Sequence, residues 1–379
     1  MKNCLLRSFQ AILVFSLAFT LTNCGNLDNP LEELSGGGSG GSGDGGGSST
    51  VNATDITLDQ TMKVIKMGGS ATIAAATVPS DATITWESDA EAIATVDETG
   101  KVTPVGVGIA TITAKSGDVK ATCKIFVGNE VDLGASAYEA KNYDILKGNM
   151  GANSLTIPDG FKVAFAGLTT TKTVTCSGDA TIYLTDVSEN TVDVSTTSYA
   201  AGIKVGQTGK TLTIEAETAG TGKLTAKGGN YAAGIGTNKI GTGGNIVING
   251  GKVTATGGNN AAGIGTGEAD MSPNTCGAIT INGGTVTATG GNNAAGIGTG
   301  KAYYATNTCG AITIGTGVTS VTATKGTNSP NSIGKGDNYN GNQICGTITI
   351  GGTIYWDGTD YQNGGDTYLT ANIIYPAVP

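Results

Sequence analysis

The chain of 379 residues carries 63 glycines and a net charge of −9, yet it has no strict Gly-X-Y period, so a collagen is excluded. It contains no His, and its only Arg is Arg7; this removes Ser-His-Asp and Cys-His catalysis, His-ligated zinc and bidentate Arg clamps on carboxylates or phosphates. An acidic chain without basic clusters also argues against nucleic acid as a partner.

Residues 1–23 join a basic start, Lys2 and Arg7, to an apolar run over 11–21. The run is too short for a spanning helix and predicts an export signal. Its ending, Leu21-Thr22-Asn23-Cys24, resembles a bacterial lipoprotein lipobox, with Asn23 where a small residue is usual. The resemblance implies a diacylated Cys24 as the sole membrane contact, and so a lipid-anchored protein of the cell envelope, at the outer membrane or cell surface. The plainer alternative is a secretory signal followed by an incidental cysteine. Residues 24–50 hold a Gly/Ser-rich run, a flexible tether with a reach of roughly 30 Å.

Residues 51–128 alternate apolar and polar residues over 56–58, 71–74, 84–86, 94–96, 100–102, 110–114 and 121–125. Seven short strands separated by turn residues predict a β-sandwich. The stretch Val78-Pro-Ser-Asp-Ala-Thr-Ile-Thr-Trp-Glu-Ser88, with Ala94-Thr-Val-Asp-Glu-Thr-Gly-Lys-Val-Thr103 and Gly106-Val-Gly-Ile-Ala-Thr-Ile-Thr-Ala114, resembles the bacterial Ig-like domain of group 2. The resemblance implies a cell-surface spacer or adhesion module, with Trp86 in the core and Gly100 and Gly108 at turns. Cys123, alone in this segment, is expected as a buried free thiol. Residues 129–150 look like a junction, mildly helical over 138–143, that covers an open end of the next domain.

Residues 151–379 repeat themselves. The motif AAGIG recurs around Ile203, Ile235, Ile264, Ile297 and a degenerate Ile333, and each copy adds runs such as AITI and TVTAT separated by Gly-Gly or Asn-Gly-Gly. No such strand could bury its apolar side alone, so copies must stack. The expected ladders are Leu212/Ile246/Ile279/Ile312/Ile348, Ile214/Ile248/Ile281/Ile314/Ile350 and Leu224/Val253/Val286/Val321. A propeller would need longer, antiparallel, aromatic-marked blades. The fold class is therefore all-β, an N-terminal Ig-like sandwich followed by a right-handed parallel β-helix, the latter of six coils and roughly 30 Å. The motifs ending at Asn230, Asn259 and Asn292 predict an asparagine ladder along one turn. The repeats resemble glycine-rich β-helical repeats of bacterial surface proteins, some of them adhesins or carbohydrate-binding proteins.

Cys276, Cys309 and Cys345 occupy equivalent positions and are expected as apolar thiols rather than a bridge, with Cys176 the remaining candidate partner. CxxC spacing is absent, so the sequence gives no metal-site signal; Asp337-Asn-Tyr-Asn-Gly-Asn342 offers oxygen ligands for calcium but not the spacing of an EF-hand. The carboxylates show no clustered pair in the sequence and read as solvated loop charges. Between AAGIG and each Cys lie variable segments, and insertions in a repeat array map to one face. They put Tyr303, Tyr304 and Tyr339 on neighbouring loops beside Asn307 and Asn340, a candidate platform for sugar rings. Tyr355, Trp356, Tyr361 and Tyr368 are expected to cap the C-terminal end. These features point to a surface-anchored, non-catalytic adhesin or glycan-binding lipoprotein, whose partner is a glycan or another cell surface. A β-helical polysaccharide hydrolase or lyase using Asp, Glu and Lys is the alternative, a structural envelope protein another. The enzyme reading turns on whether carboxylates converge in a groove.

Overall fold

The computed structural model describes residues 51–217 and 221–376; the export signal, Cys24 and the tether lie outside the described residues. The sandwich is built on an antiparallel pair, Gly108–Ser116 with Val119–Asp132. Thr85–Ser88 adds antiparallel to one side and Met62–Lys66 parallel to the other. Lys101–Pro104 lies between Ala71–Thr72 and Ala94–Val96, and Asp55–Leu58 pairs with Ala75–Val78. Met62–Lys66 and Ala75–Val78 are strands beyond the seven expected.

The alternation in the last strand explains how the sandwich meets the rest of the chain. Cys123, Ile125 and Val127 turn inward, to a core with Ile73, Val102 and Ile112. Cys123 is a buried free thiol, pushed up to about 12 first by that burial. Trp86 is half-buried beside this core, and a side chain on Gly100, at φ +78°, would meet its ring at 2.8 Å. The intervening Phe126 turns the other way and packs with Met62, Ile145, Ala164 and Tyr183, its ring centroid 5.1 Å from that of Tyr183.

The same strand is the start of the β-helix. Its residues Asn129 to Asp132 pair in parallel with Asp144 to Lys147, so parallel stacking begins inside the stretch read as a junction. The expected helical turn over 138–143 is absent: Tyr138–Glu139 is a strand, drawn into place by pairing with Leu155 and Thr156. Tertiary pairing overrides the local helix propensity there.

Four parallel sheets run up the stack. Sheet 1 has eight rungs, from Tyr138–Glu139 through Leu155–Ile157, Val174–Cys176 and the AAGIG strands to Ile333–Gly334. Sheet 2 starts only at Gly241–Thr242 and continues through Asn274–Cys276 and Thr306–Cys309 to Asn342–Cys345. Sheet 3 carries the AITI strands and sheet 4 the TVTAT strands. The expected six coils are thus too few, because three rungs of sheet 1, Tyr138–Glu139, Leu155–Ile157 and Val174–Cys176, come before the first AAGIG strand. Eight rungs at roughly 4.8 Å extend about 34 Å.

The three expected apolar ladders form in the register proposed. Most of their residues are fully shielded from solvent, and all belong to one continuous core. Register is strongly specified here, since a one-residue slip would turn a whole apolar ladder outward. Glycine makes the rungs fit. Gly236, Gly265 and Gly298 follow the motif isoleucines at φ between +133° and +144°, and a Cβ on any of them would run into the carbonyl oxygen of the next rung's glycine. Much of the glycine excess therefore serves stacking.

The asparagine ladder forms one residue later than expected. Asn259 and Asn292 are exposed, whereas Asn293 Nδ2 donates to Asn260 Oδ1 at 2.6 Å and Asn328 Nδ2 to Asn293 Oδ1 at 2.9 Å. Cys276, Cys309 and Cys345 are stacked, buried free thiols on sheet 2; Cys176 lies on sheet 1, opposite a different ladder. At the C-terminus, Thr353–Trp356 and Ile373–Tyr375 turn back antiparallel against the last rungs. Trp356, Leu369 and Ile373 enter the core, with Tyr355 stacked on Tyr368 at 4.5 Å and Trp356 against Tyr361 at 5.0 Å. This is the expected aromatic cap, and it ends the parallel edge.

Candidate functional site

The corner between sheets 1 and 2 is where the coils differ most in sequence, and its backbone is held from inside. Thr237, Thr266 and Thr299 are buried, and each hydroxyl accepts from the amide of Gly267, Gly300 or Gly336 one coil further on, at 2.8–2.9 Å. On sheet 2 an amide ladder, Asn274/Asn307/Gln343, is also buried and in register. Asn274 donates to the carbonyls of Lys239 and Glu268, Asn307 to those of Gly267 and Lys301, and Gln343 to those of Gly300 and Asp337. Asn307, expected as a ligand contact, is therefore a positioning residue with no solvent exposure.

Four of the carbonyls so held belong to a row of charged residues one coil apart: Lys239, Glu268, Lys301 and Asp337. Their signs alternate. Lys239 Nζ lies 3.9 Å from Glu268 and 3.0 Å from Asp270, and Lys301 Nζ lies 3.8 Å from Asp337. Glu268 is 5 % exposed and accepts a 2.7 Å hydrogen bond from Asn260 Nδ2. Burial raises its pKa above the ordinary glutamate value, against the opposing pull of Asn260 and Lys239. Burial also works against the Lys239 ammonium, but Asp270 and Glu268 outweigh it and leave its pKa above the usual lysine value.

Tyrosines flank this row at both ends. Tyr303 and Tyr339 stack with centroids 5.0 Å apart, and Tyr304 stands edge-on to Tyr303 at 4.4 Å and to Tyr339 at 6.0 Å. Lys301 Nζ sits 5.2 Å from the Tyr303 ring and 5.6 Å from that of Tyr339. Tyr304 is 49 % exposed and Tyr339 57 %, which leaves surface for a ligand. Asn340 is exposed beside them, its amide donating to the Tyr303 carbonyl at 2.9 Å. Asp337, weighed for calcium, is instead paired with Lys301, and no group of three His, Cys, Asp or Glu that could hold a metal occurs among the described residues.

The other end was not anticipated. Tyr199 and Tyr231, in register before two AAGI motifs, stack at 5.6 Å, with Lys239 Nζ 4.9 Å and 5.1 Å from their rings. Both adopt φ near +70°, a left-handed conformation that is costly for a tyrosine and that clusters at binding sites. Tyr199, Tyr231, Lys239, Asn260, Glu268, Asp270, Lys301 and Tyr303 line one open concavity of ≈ 290 Å³. Two carboxylates thus converge here, contrary to the reading of all loop carboxylates as separate solvated charges. The repeated YAAGI was a visible signal for the two tyrosines; nothing in the linear sequence joined them to Glu268 and Tyr303.

No curated protein matches this chain. Residues 52–126 match the bacterial Ig-like domain (group 2), and residues 246–268 and 279–301 match the beta helix repeat, so the two families correspond to the sandwich and to the stack that carries this corner.

Proposed function

We propose that the chain is a surface-anchored, non-catalytic binding protein whose sheet 1–sheet 2 corner takes a glycan. The observation that carries this reading is the cluster of Tyr303, Tyr304 and Tyr339, with the Tyr304 and Tyr339 rings exposed beside amide and carboxylate groups, on loops clamped by buried amides. Aromatic faces pack on the apolar faces of sugar rings while nearby polar groups take the hydroxyls. The repeat matches end at Glu268 and Lys301 and leave the following loop residues outside, as expected where the scaffold is general and the loops specify the ligand. Cys24, if diacylated, would hold the protein on the cell envelope. Among the described residues no helix is long and apolar enough to cross a membrane.

The convergence of Glu268 and Asp270 favours a second reading, a polysaccharide hydrolase with Glu268 as the acid. Against it, both carboxylates rise from one loop and share Lys239, and the concavity has no carboxylate on another wall. Paired glycosidase carboxylates instead flank the scissile bond from two sides. The test is a glycan array, followed by affinity measurement on Tyr304→Ala and Tyr339→Ala. Binding should weaken in both variants with thermal stability within a few degrees of the parent, since surface changes cost little. Undiminished binding in both would remove this corner from consideration. Steady release of reducing ends, abolished by Glu268→Gln, would establish the enzyme instead.

A further inference from the structure

The charge pattern of this corner says more about the ligand than its aromatic content does. We propose that the site selects uncharged glycan chains and rejects uronate or sulfated ones; this rests on the glycan-binding reading and specifies the charge of the ligand. Lys239 is engaged by Asp270 and Glu268, and Lys301 by Asp337. Two ammonium groups therefore face three carboxylates. Each lysine also lies against two tyrosine rings, so neither can swing to an anionic sugar without leaving its own partners. No arginine occurs beyond Arg7 to supply the bidentate clamp that carboxylate or sulfate recognition uses. An anionic ring entering the concavity would meet Glu268 and Asp270 directly, and like charges in contact discriminate strongly against a wrong partner.

A neutral sugar meets the opposite situation. Asp270 and Glu268 can accept from hydroxyls, Asn260 lies on the same lining, and Tyr199, Tyr304 and Tyr339, each about half exposed, offer ring surface. The features from Tyr199 to Tyr339 follow successive coils, from the rung of Ile203 to that of Ile333. Five rungs at roughly 4.8 Å extend about 19 Å, the length of a short chain rather than of one ring.

The test is affinity gel electrophoresis of the full chain, purified in mild detergent, through gels containing neutral polysaccharides (glucans, mannans, xylans, galactans) or acidic ones (polygalacturonate, alginate, chondroitin sulfate). Retardation by at least one neutral polymer, unchanged by added salt, with none by the acidic set, is the expected result. The double variant Glu268→Gln/Asp270→Asn, checked for native circular dichroism, removes both carboxylate partners of Lys239 while Lys301 keeps Asp337, and should gain salt-sensitive retardation by polygalacturonate of about tenfold. Retardation of the parent by acidic polymers overturns the selectivity while leaving glycan binding in place. Failure of the double variant to gain acidic binding shows that these carboxylates are not what excludes anions, and overturns it too. A silent glycan array together with no retardation in any gel sinks the glycan reading itself.

Discussion

Glu217 joins the sandwich to the β-helix, and removing it should weaken both. The side chain is buried, and its two oxygens accept from amides on either side of the joint: Val64 in the sandwich at 2.6 Å and Asp186 in the stack at 2.5 Å. Lys63 Nζ lies 3.2 Å away with a side chain 25 % exposed, so it can rehydrate when its partner is lost, and its share is small. Glu217→Ala orphans the two amides. At about 1–3 kcal/mol for each unsatisfied buried group, the loss is about 2–5 kcal/mol after partial water entry. The two tryptophans give a separate view of each side, since Trp86 lies in the sandwich and Trp356 in the far cap. In urea, fluorescence of Trp86→Phe and Trp356→Phe backgrounds should report one shared midpoint for the parent. Glu217→Ala should lower that midpoint by about 1 M and separate the two signals. Glu217→Gln, which keeps one acceptor oxygen, should fall between. An unchanged midpoint in both backgrounds would refute the view that this carboxylate couples the domains.

Ile281 is fully buried between Ile248 and Ile314, so Ile281→Ala should lose about 2–5 kcal/mol through the cavity it leaves; a thermal midpoint equal to the parent's would mean that the ladder is not packed. Glu268 predicts a pH effect of definite sign. Its pKa is raised in the folded state by burial, so its ionisation opposes folding: the penalty is absent below the unfolded value of about 4.3 and is complete once pH exceeds the folded value. Glu268→Gln should therefore match the parent in urea titrations near pH 4 and exceed it at neutral pH; a variant less stable than the parent at neutral pH would contradict this. Cys24→Ser should move the protein from the membrane to the soluble fraction, because the diacylated cysteine is the only anchor proposed. Persistent membrane fractionation would remove the lipid-anchor reading.

The apolar ladders were legible because repetition leaves little freedom. Once Ile246, Ile279 and Ile312 occupy equivalent places between equivalent turns, only one register buries them all. The same logic failed where the motif was missing. Leu155 and Val174 sit above Tyr138 in sheet 1, but no AAGIG marks them, so their strands read only as an irregular start to the repeats, the coils there were undercounted, and a strand at Tyr138 looked helical. The asparagine ladder shows a finer limit. Two adjacent asparagines, as in Asn259-Asn260 and Asn292-Asn293, give the sequence no means to say which stacks; the backbone decides, with the Asn293 amide donating to the Asn259 carbonyl and the Asn293 side chain left to reach Asn260.

The site was half visible for a related reason. Tyr303, Tyr304 and Tyr339 stand out because they interrupt the repeat, and their clustering follows from adjacent coils carrying them at similar offsets. Tyr199 and Tyr231 precede the motif, while Glu268 and Asp270 follow it in a later coil. These two offsets meet in space only because the chain turns sharply at Ile-Gly-Thr, where a positive-φ glycine and a buried threonine fold the outgoing loop back beside the incoming one. Asn307 is the complementary case. Its place among variable residues suggested a ligand contact, yet its register with Asn274 and Gln343 puts it on the inner face of sheet 2. What varies along this corner is therefore the outward charge and ring, while the inward amide recurs to hold each of them at the same height; specificity can change from coil to coil without disturbing the stack that presents it.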